Sequence, residues 1–245
     1  MEKVNKRLLA IIPYFGGDSS AAPSKVELRP LYLKKCIESL KAQPLKDVEF
    51  LIYVSNNEDA KFIKSLNIEP IVIDKIEHPK YLPYEAAVRT QQLSFKADYV
   101  ILTEADQMWY INWKVVQPTL GEENYYSPLR LEEIYKTYGS ARGRNVLVNG
   151  NPWAIINTDG LMYPGHRNKI NTFGGGFLCT SKAFRGIYFQ KSEQLPVEHV
   201  TGFSPFNCLK CEMNSDTYVL HLSGYEYHQK LAGVKNETIR SSSTV

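Results

Sequence analysis

The run Tyr99-Val-Ile-Leu-Thr103-Glu104-Ala-Asp106 ends a short apolar segment in two carboxylates two positions apart. In an extended strand, side chains at i and i+2 share one side. Glu104 and Asp106 are therefore expected to project together from the strand's C-terminal end, with Ala105 turned away. Open α/β sheets bind their ligands at that end. Two convergent carboxylates repel unless positive charge lies between them, and a hard divalent cation with oxygen ligands relieves the repulsion. If the cation also held a diphosphate, the pair could stabilise a leaving group. The competing readings are a turn-capping Asp106, and a Glu104 that contacts only a ribose or the metal's waters.

Other reactive residue types have plain structural readings beside the chemical ones. His221 lies in the apolar run Tyr218-Val-Leu-His221-Leu222, where a hydrogen-bonded core histidine is the simple account. Cys208-Leu-Lys-Cys211 has metal-knuckle spacing but no second such pair, so a zinc site would need His199, His221 or His228. Cys36 and Cys179 fall in periodic apolar segments and read as buried thiols. Four scattered cysteines do not form a disulfide framework, and reduced thiols in a cytoplasmic protein fit them better.

The elements that must carry these residues alternate through the first half. Leu8-Leu-Ala-Ile-Ile12 reads as a strand buried on both faces, stopping at Pro13-Tyr14-Phe15-Gly16-Gly17. A helix beginning near Pro30 puts Leu33, Cys36, Ile37 and Leu40 on one face before Pro44. Phe50–Val54 is a second strand, ending in Ser55-Asn56-Asn57, and either asparagine suits the cap of a helix that buries Phe62, Ile63 and Leu66. Pro70–Ile73 is a third strand closing at Asp74, and a helix from about Tyr84 to Lys96 leads into the acidic segment. Strands separated by helices argue for a parallel, doubly wound sheet.

The second half is less regular. Ser127-Pro128 opens an expected helix with Leu131, Ile134, Tyr135 and Tyr138 on one face. Val146–Val148 and Trp153–Ile156 flank Asn149-Gly150-Asn151 as a hairpin. Gly174-Gly175-Gly176 precedes a strand, Phe177–Thr180, and a short helix from Ser181; glycines there let backbone approach a ligand closely, or serve a tight turn. No repeat or linker divides the chain, so one domain is expected over residues 1–234, with a regular first half, 1–107, a less regular second half, 108–234, and a frayed polar tail, 235–245.

Composition narrows the function. An apolar share of 43% and a charged share of 22% fit a soluble globular chain of 245 residues. A net charge of +3 with scattered bases argues against nucleic acid as a partner. No segment approaches the ~18 apolar residues of a membrane span, and the start lacks the features of a secretory signal. Tyr81, Tyr84, Tyr225 and Tyr227 lie in polar stretches where rings could stack on sugars or bases.

Taken together, the order of elements from Leu8 to His228 resembles the nucleotide-sugar glycosyltransferases of the GT-A fold. That resemblance implies an α/β, Rossmann-like fold: a mostly parallel central sheet flanked by helices, followed by a less regular acceptor-side half. The family's Asp-any-Asp metal motif would be Glu104-Ala105-Asp106, and its glycine-containing strand-to-helix segment would be Gly174 to Phe184. The late histidine that completes the metal shell would be His221, with His228 as the alternative. Glutamate replaces the first motif aspartate, adding one methylene of reach.

The resemblance further implies that Pro13, Tyr14, Asn56, Asn57, Asp74, Arg89, Glu104 and Gly175 contact the donor nucleotide, Arg89 at the diphosphate. The usual Glu-Asp pair after the glycine segment is missing, so Glu198 stands as the candidate catalytic base with Asp216 as the alternative. The implied activity is metal-dependent transfer, with Mn²⁺ or Mg²⁺, of a sugar from a nucleoside diphosphate donor to a hydroxyl of a carbohydrate or glycoconjugate acceptor. Trp153, within the 142–172 region, would offer an acceptor platform or belong to the core. Two other readings stand beside it. A sugar-phosphate nucleotidyltransferase would need a basic glycine-rich loop after the first strand, where no Arg or Lys occurs before Lys25. A degenerate, non-catalytic carbohydrate- or partner-binding domain would explain the missing acidic pair.

Overall fold

The computed structural model describes residues 4–17, 28–78, 81–122, 124–126, 129–133, 143–148, 151–157, 170–174, 176–190, 199–203, 210–212 and 217–221. Three sheets are built from fifteen strands within them.

The first half alternates as the hydrophobic pattern requires: β1 (Val4–Pro13), α1 (Arg29–Lys41), β2 (Leu45–Val54), α2 (Asn57–Ser65), β3 (Ile71–Val72), α3 (Leu82–Gln92) and β4 (Tyr99–Leu102). Then follow β5 (Gln107–Ile111), α4 (Trp113–Thr119), β6 (Asn124–Tyr126), β7 (Leu129–Glu133), β8 (Gly143–Val148), β9 (Asn151–Asn157) and β10 (Ile170–Gly174). The chain continues through β11 (Phe177–Thr180), α5 (Ser181–Gly186), β12 (Tyr188–Gln190), β13 (His199–Phe203), β14 (Lys210–Glu212) and β15 (Thr217–His221).

The central sheet has seven strands in the order β14-β6-β11-β4-β1-β2-β3. Its pairs are parallel except for β11, which runs antiparallel to both β4 and β6. The chain winds from β1 outward to β2 and β3, then returns to place β4 on the other side of β1. This reversal between β1 and β4 is the switch point where doubly wound sheets open a crevice for ligands. The fold is α/β and Rossmann-like.

Helices cover both faces, which explains why β1 is apolar at successive positions from Leu8 to Ile12, all fully buried. Leu8, Ala10 and Ile12 meet Leu33, Cys36, Ile37 and Leu40 of α1, Ile63 of α2, Trp109 of β5 and Val116 of α4. Leu9 and Ile11 meet Leu82, Ala86 and Ala87 of α3 and Phe184 of α5. Burying each such aliphatic side chain contributes about 1.5–3 kcal/mol, so β1 is the axis of the molecule. A second sheet, β5-β15-β7-β9-β8, grows from β5, and a third is ordered β10-β13-β12.

The structure differs from the sequence expectations in three places. The strand that carries the acids ends at Leu102, so Glu104 and Asp106 lie in a turn between β4 and β5 and not on an extended strand. Over Leu129–Glu133 the expected helix after Pro128 is instead the strand β7, because Leu129–Leu131 and Leu131–Glu133 find ladder partners in β15 and β9, far along the chain; Ile134, Tyr135 and Tyr138 lie outside the described residues. The helix expected to reach Lys96 stops at Gln92, where Leu93 turns extended and Arg185 donates to the carbonyls of Gln91 and Leu93. The 146–156 hairpin, the 177–180 strand and the closing strand form as the pattern implies. Among the described residues no helix is long and apolar enough to cross a membrane.

Candidate active site at the switch point

Because β1 to β4 are parallel, their C-terminal ends share one rim. That rim carries Tyr14 to Gly17 after β1, Asn56 and Asn57 after β2, Asp74 after β3, and Thr103 to Asp106 after β4. Gly176 joins them from the opposite direction, since β11 runs antiparallel and Phe177 pairs with Leu102. The ladder between β15 and β5 sets His221 opposite Gln107, next in sequence to Asp106. Glu104, Asp106 and the backbone of His221 are thus gathered at one end of β4 by two separate strand pairings.

The acidic turn is fixed from below. Glu104 and Asp106 are both half-buried. The Glu104 carboxylate accepts the Gln107 amide N–H at 2.7 Å, and Thr103 Oγ1 accepts the Trp109 indole N–H at 2.7 Å. Cys36 of α1 lies under the same turn, its Sγ 3.8 Å from the Glu104 carbonyl oxygen. Burial pushes the Cys36 thiol up, and the negative charge of Asp106 adds to the rise.

The glycine segment closes against this turn. Gly176 has φ +93°, and a Cβ there would collide with the Leu102 carbonyl oxygen and press on Thr103 Cα. Only a glycine lets β11 approach the end of β4 so closely. Gly175, the expected contact residue, lies outside the described residues, as do Glu198, Asp216 and His228. The register does place His199, the neighbour of Glu198, opposite Gly174. Cys208 and the 235–245 tail also lie outside them, and Trp153 falls in β9.

Of the other expected contacts, Pro13, Tyr14, Asn56, Asn57 and Asp74 lie along the rim, whereas Arg89 is in the last turn of α3, which leads back from the rim to the start of β4. Asn56 caps α2, its Oδ1 accepting the Asp59 N–H at 2.8 Å, and its Nδ2 donates to Asp59 Oδ2 at 2.7 Å. Asn57, the first residue of α2, and Asp74 are exposed. Arg89 is on α3, where Nε donates to Glu85 Oε2 at 3.2 Å. Pro13 ends β1, and Tyr14 is buried with its hydroxyl pushed up by burial and by the charge of Asp59.

Two residues escaped the sequence reading. Asp59, buried at the start of α2, accepts the Gly16 N–H at 3.0 Å, and a Cβ on Gly16 would run into its carboxylate. Arg29 donates to the carbonyls of Phe15 and Gly17 at 2.7 and 2.6 Å and lies over the Phe15 ring. Together they hold Phe15 to Gly17, the start of the loop after β1, in place. The pattern Asn56-x-x-Asp59 at a helix start was the available signal for the first, and Arg29 beside Pro30 for the second.

No family model matches the chain, and no curated protein matches it. Among solved structures it resembles HddC from Yersinia pseudotuberculosis, with TM-score 0.47, 13% identity, and 93% of this chain and 97% of that chain covered. It also resembles the inositol-1-phosphate CTP transferase from T. maritima, with TM-score 0.43, 10% identity and 93% of each chain covered. A third is the galactosyltransferase LgtC in complex with donor and acceptor sugar analogs, with TM-score 0.35, 12% identity, and 73% and 59% covered.

Proposed function

We propose that this chain is a glycosyltransferase, moving a sugar from a nucleoside diphosphate donor to a hydroxyl of a carbohydrate or glycoconjugate. The observation that supports this reading is the acidic turn: two carboxylates at the crevice between β1 and β4, with glycine backbone packed against their base. Hard oxygen donors of this kind suit Mn²⁺ or Mg²⁺. Asp106 and Glu104 would hold the ion, with His221, whose backbone pairs with Gln107, as the third ligand. Bound there, the cation would neutralise charge developing on the departing nucleoside diphosphate.

The chain's own residues do the rest. The rim after β1, β2 and β3, with Pro13, Tyr14, Asn57 and Asp74, receives the base and ribose, while the Asn56 amide keeps the β2 turn in shape. Arg89 can leave its exposed pairing with Glu85 to meet the diphosphate, since such surface pairs are worth only about 0–1 kcal/mol. Gly175 lets backbone approach the sugar. In an inverting reaction Glu198, or else Asp216, takes the acceptor proton. Holding the acceptor hydroxyl against the anomeric carbon supplies a large part of the acceleration.

Among the described residues of the loop after β1, Tyr14 to Gly17, the contacts favour this reading over the nucleotidyltransferase one. A triphosphate cradle needs free N–H groups and basic side chains, whereas there the Gly16 N–H is taken by a carboxylate and Arg29 Nη1 is directed at the carbonyls of Phe15 and Gly17. The deciding experiment incubates the protein and Mn²⁺ with a panel of labelled nucleoside diphosphate sugars. Release of nucleoside diphosphate with sugar transfer, or slow hydrolysis without acceptor, is the expected result. Pyrophosphate release from a nucleoside triphosphate and a sugar phosphate would contradict it, and donor binding without turnover would indicate a non-catalytic domain.

A further inference from the structure

Resting on that reading of the acidic turn, we propose that Gln107 is a positioning residue that sets the Glu104 carboxylate for cation binding. Gln107 is fully buried at the start of β5, directly beneath the turn. A buried amide must satisfy both its donor and its acceptor. Gln107 does so with Nε2 donating to Glu104 Oε2 at 2.7 Å and Oε1 facing Thr103 Oγ1 at 3.1 Å.

The direction of these bonds is dictated by a group that can only donate. The Trp109 indole N–H donates to Thr103 Oγ1, so that hydroxyl is used as an acceptor there. Its single proton then points towards Gln107 Oε1, with the Glu104 carbonyl at the same 3.1 Å as a second acceptor. With its oxygen engaged, the Gln107 amide presents N–H to the Glu104 side chain. A flipped amide would set oxygen against carboxylate, which is repulsive.

The origin of this chain is rigid. The Trp109 backbone N–H donates to Ser39 Oγ at 3.0 Å, and Gln43 Nε2 donates to the Trp109 carbonyl at 3.1 Å. Ser39 is on the buried side of α1, Gln43 is buried just past its C-terminus, and the Trp113 indole N–H donates to Gln43 Oε1 at 2.9 Å. An ordered path therefore runs from α1 through Trp109, Thr103 and Gln107 to Glu104. Gln107 is also the ladder partner of His221, so it stands at the junction of the proposed cation-binding groups. Outer-sphere hydrogen bonds of this kind orient carboxylate ligands and hold them ready.

The test measures Mn²⁺ binding by the full-length chain from the electron paramagnetic resonance signal of free Mn²⁺, with thermal melting as a check on folding. Gln107→Met keeps length and removes the amide; Thr103→Val keeps shape and removes the hydroxyl that orients it. Gln107→Met should bind Mn²⁺ about 10- to 100-fold more weakly, Thr103→Val in the same direction but less, with metal-free nucleotide affinity unchanged in both. Asp106→Ala is the parallel control. If it binds Mn²⁺ as the wild type does, the cation site is elsewhere and both readings fall. If it loses Mn²⁺ while folded Gln107→Met retains wild-type affinity, the positioning role alone is overturned. A parallel fall in metal-free nucleotide affinity would also overturn it, as general damage to the rim. Should Gln107→Met fail to fold, unchanged Mn²⁺ affinity in Thr103→Val is the contradicting result.

Discussion

Gly176 stands with φ +93° directly against the carbonyl of Leu102, the last residue of the strand that leads into the acidic turn. The end of β4 and the start of β11 are thereby locked at a separation that no side chain tolerates. Gly176→Ala should cost about 1–3 kcal/mol from backbone conformation alone, and the collision adds to it. For a chain of this size the melting temperature should fall by about 2–4 °C per kcal/mol. An unchanged melting temperature would mean that β11 does not approach β4 as described.

Asp59 ties the loop after β1 to the first turn of α2 by accepting from both Gly16 and Asn56. Asp59→Ala leaves the Gly16 N–H without its carboxylate and should destabilise the protein by about 1–3 kcal/mol. Asn56→Ala, which removes the helix cap, should cost about 1 kcal/mol. Because Asn56 and Asp59 are in contact, the double variant should lose less than the sum of the two. Strict additivity in denaturant titrations would show that the clamp does not act as a unit.

The rear edge of the sheet carries a pH-dependent link. Lys6 Nζ donates to Asp98 Oδ1 at 2.9 Å and the Arg7 N–H to Asp98 Oδ2 at 2.8 Å. Burial pushes the Asp98 carboxyl up, but Lys6 and Arg7 together outweigh it and hold the group below its usual 3.8. The hydrogen bond and charge of Asp98 raise Lys6 above its usual 10.5. The depressed carboxyl stabilises the fold above about pH 4, and that contribution is lost as the pH falls through its folded value. The raised ammonium stabilises it below its ordinary value, and that contribution is lost as the pH climbs past the folded one. Asp98→Ala should therefore lower stability by a constant amount between these limits and by less outside them. With both side chains partly exposed, the effect should be about 0–1 kcal/mol and shrink in salt. A deficit independent of pH would assign Asp98 a packing role only.

Cys36 and Cys179 are fully buried free thiols, both pushed up by burial. Thiolate is the reactive form, so both should label more than about 100-fold more slowly in the native protein than after denaturation. Mass mapping of alkylated peptides checks this. Rapid native labelling of Cys36 would mean that α1 opens away from the acidic turn.

Much of the fold was legible because its first half is locally determined. Leu8 to Ile12 could only be a strand covered on both faces, and Leu33, Cys36, Ile37 and Leu40 could only be one face of a helix. Residues Leu129 to Glu133 were misread because their strand exists through partners about 25 and 90 positions away, which local periodicity cannot see. The setting of the acids was not legible. Alternation along a strand was expected to carry Glu104 and Asp106, but β4 ends at Leu102 and they lie in a turn where Gln107 and Thr103 hold Glu104 in place. Asp59 and Arg29 were hidden because they act on backbone atoms of a loop whose closeness depends on the order of the strands.

The most direct measurement is calorimetric titration of nucleoside diphosphates into wild-type protein and Asp106→Ala, each with and without Mn²⁺. If the acidic turn holds a cation that in turn holds the diphosphate, Mn²⁺ should strengthen wild-type binding about 10-fold or more. Asp106→Ala should lose that gain while keeping its metal-free affinity. Equal Mn²⁺ enhancement in both proteins would contradict the account.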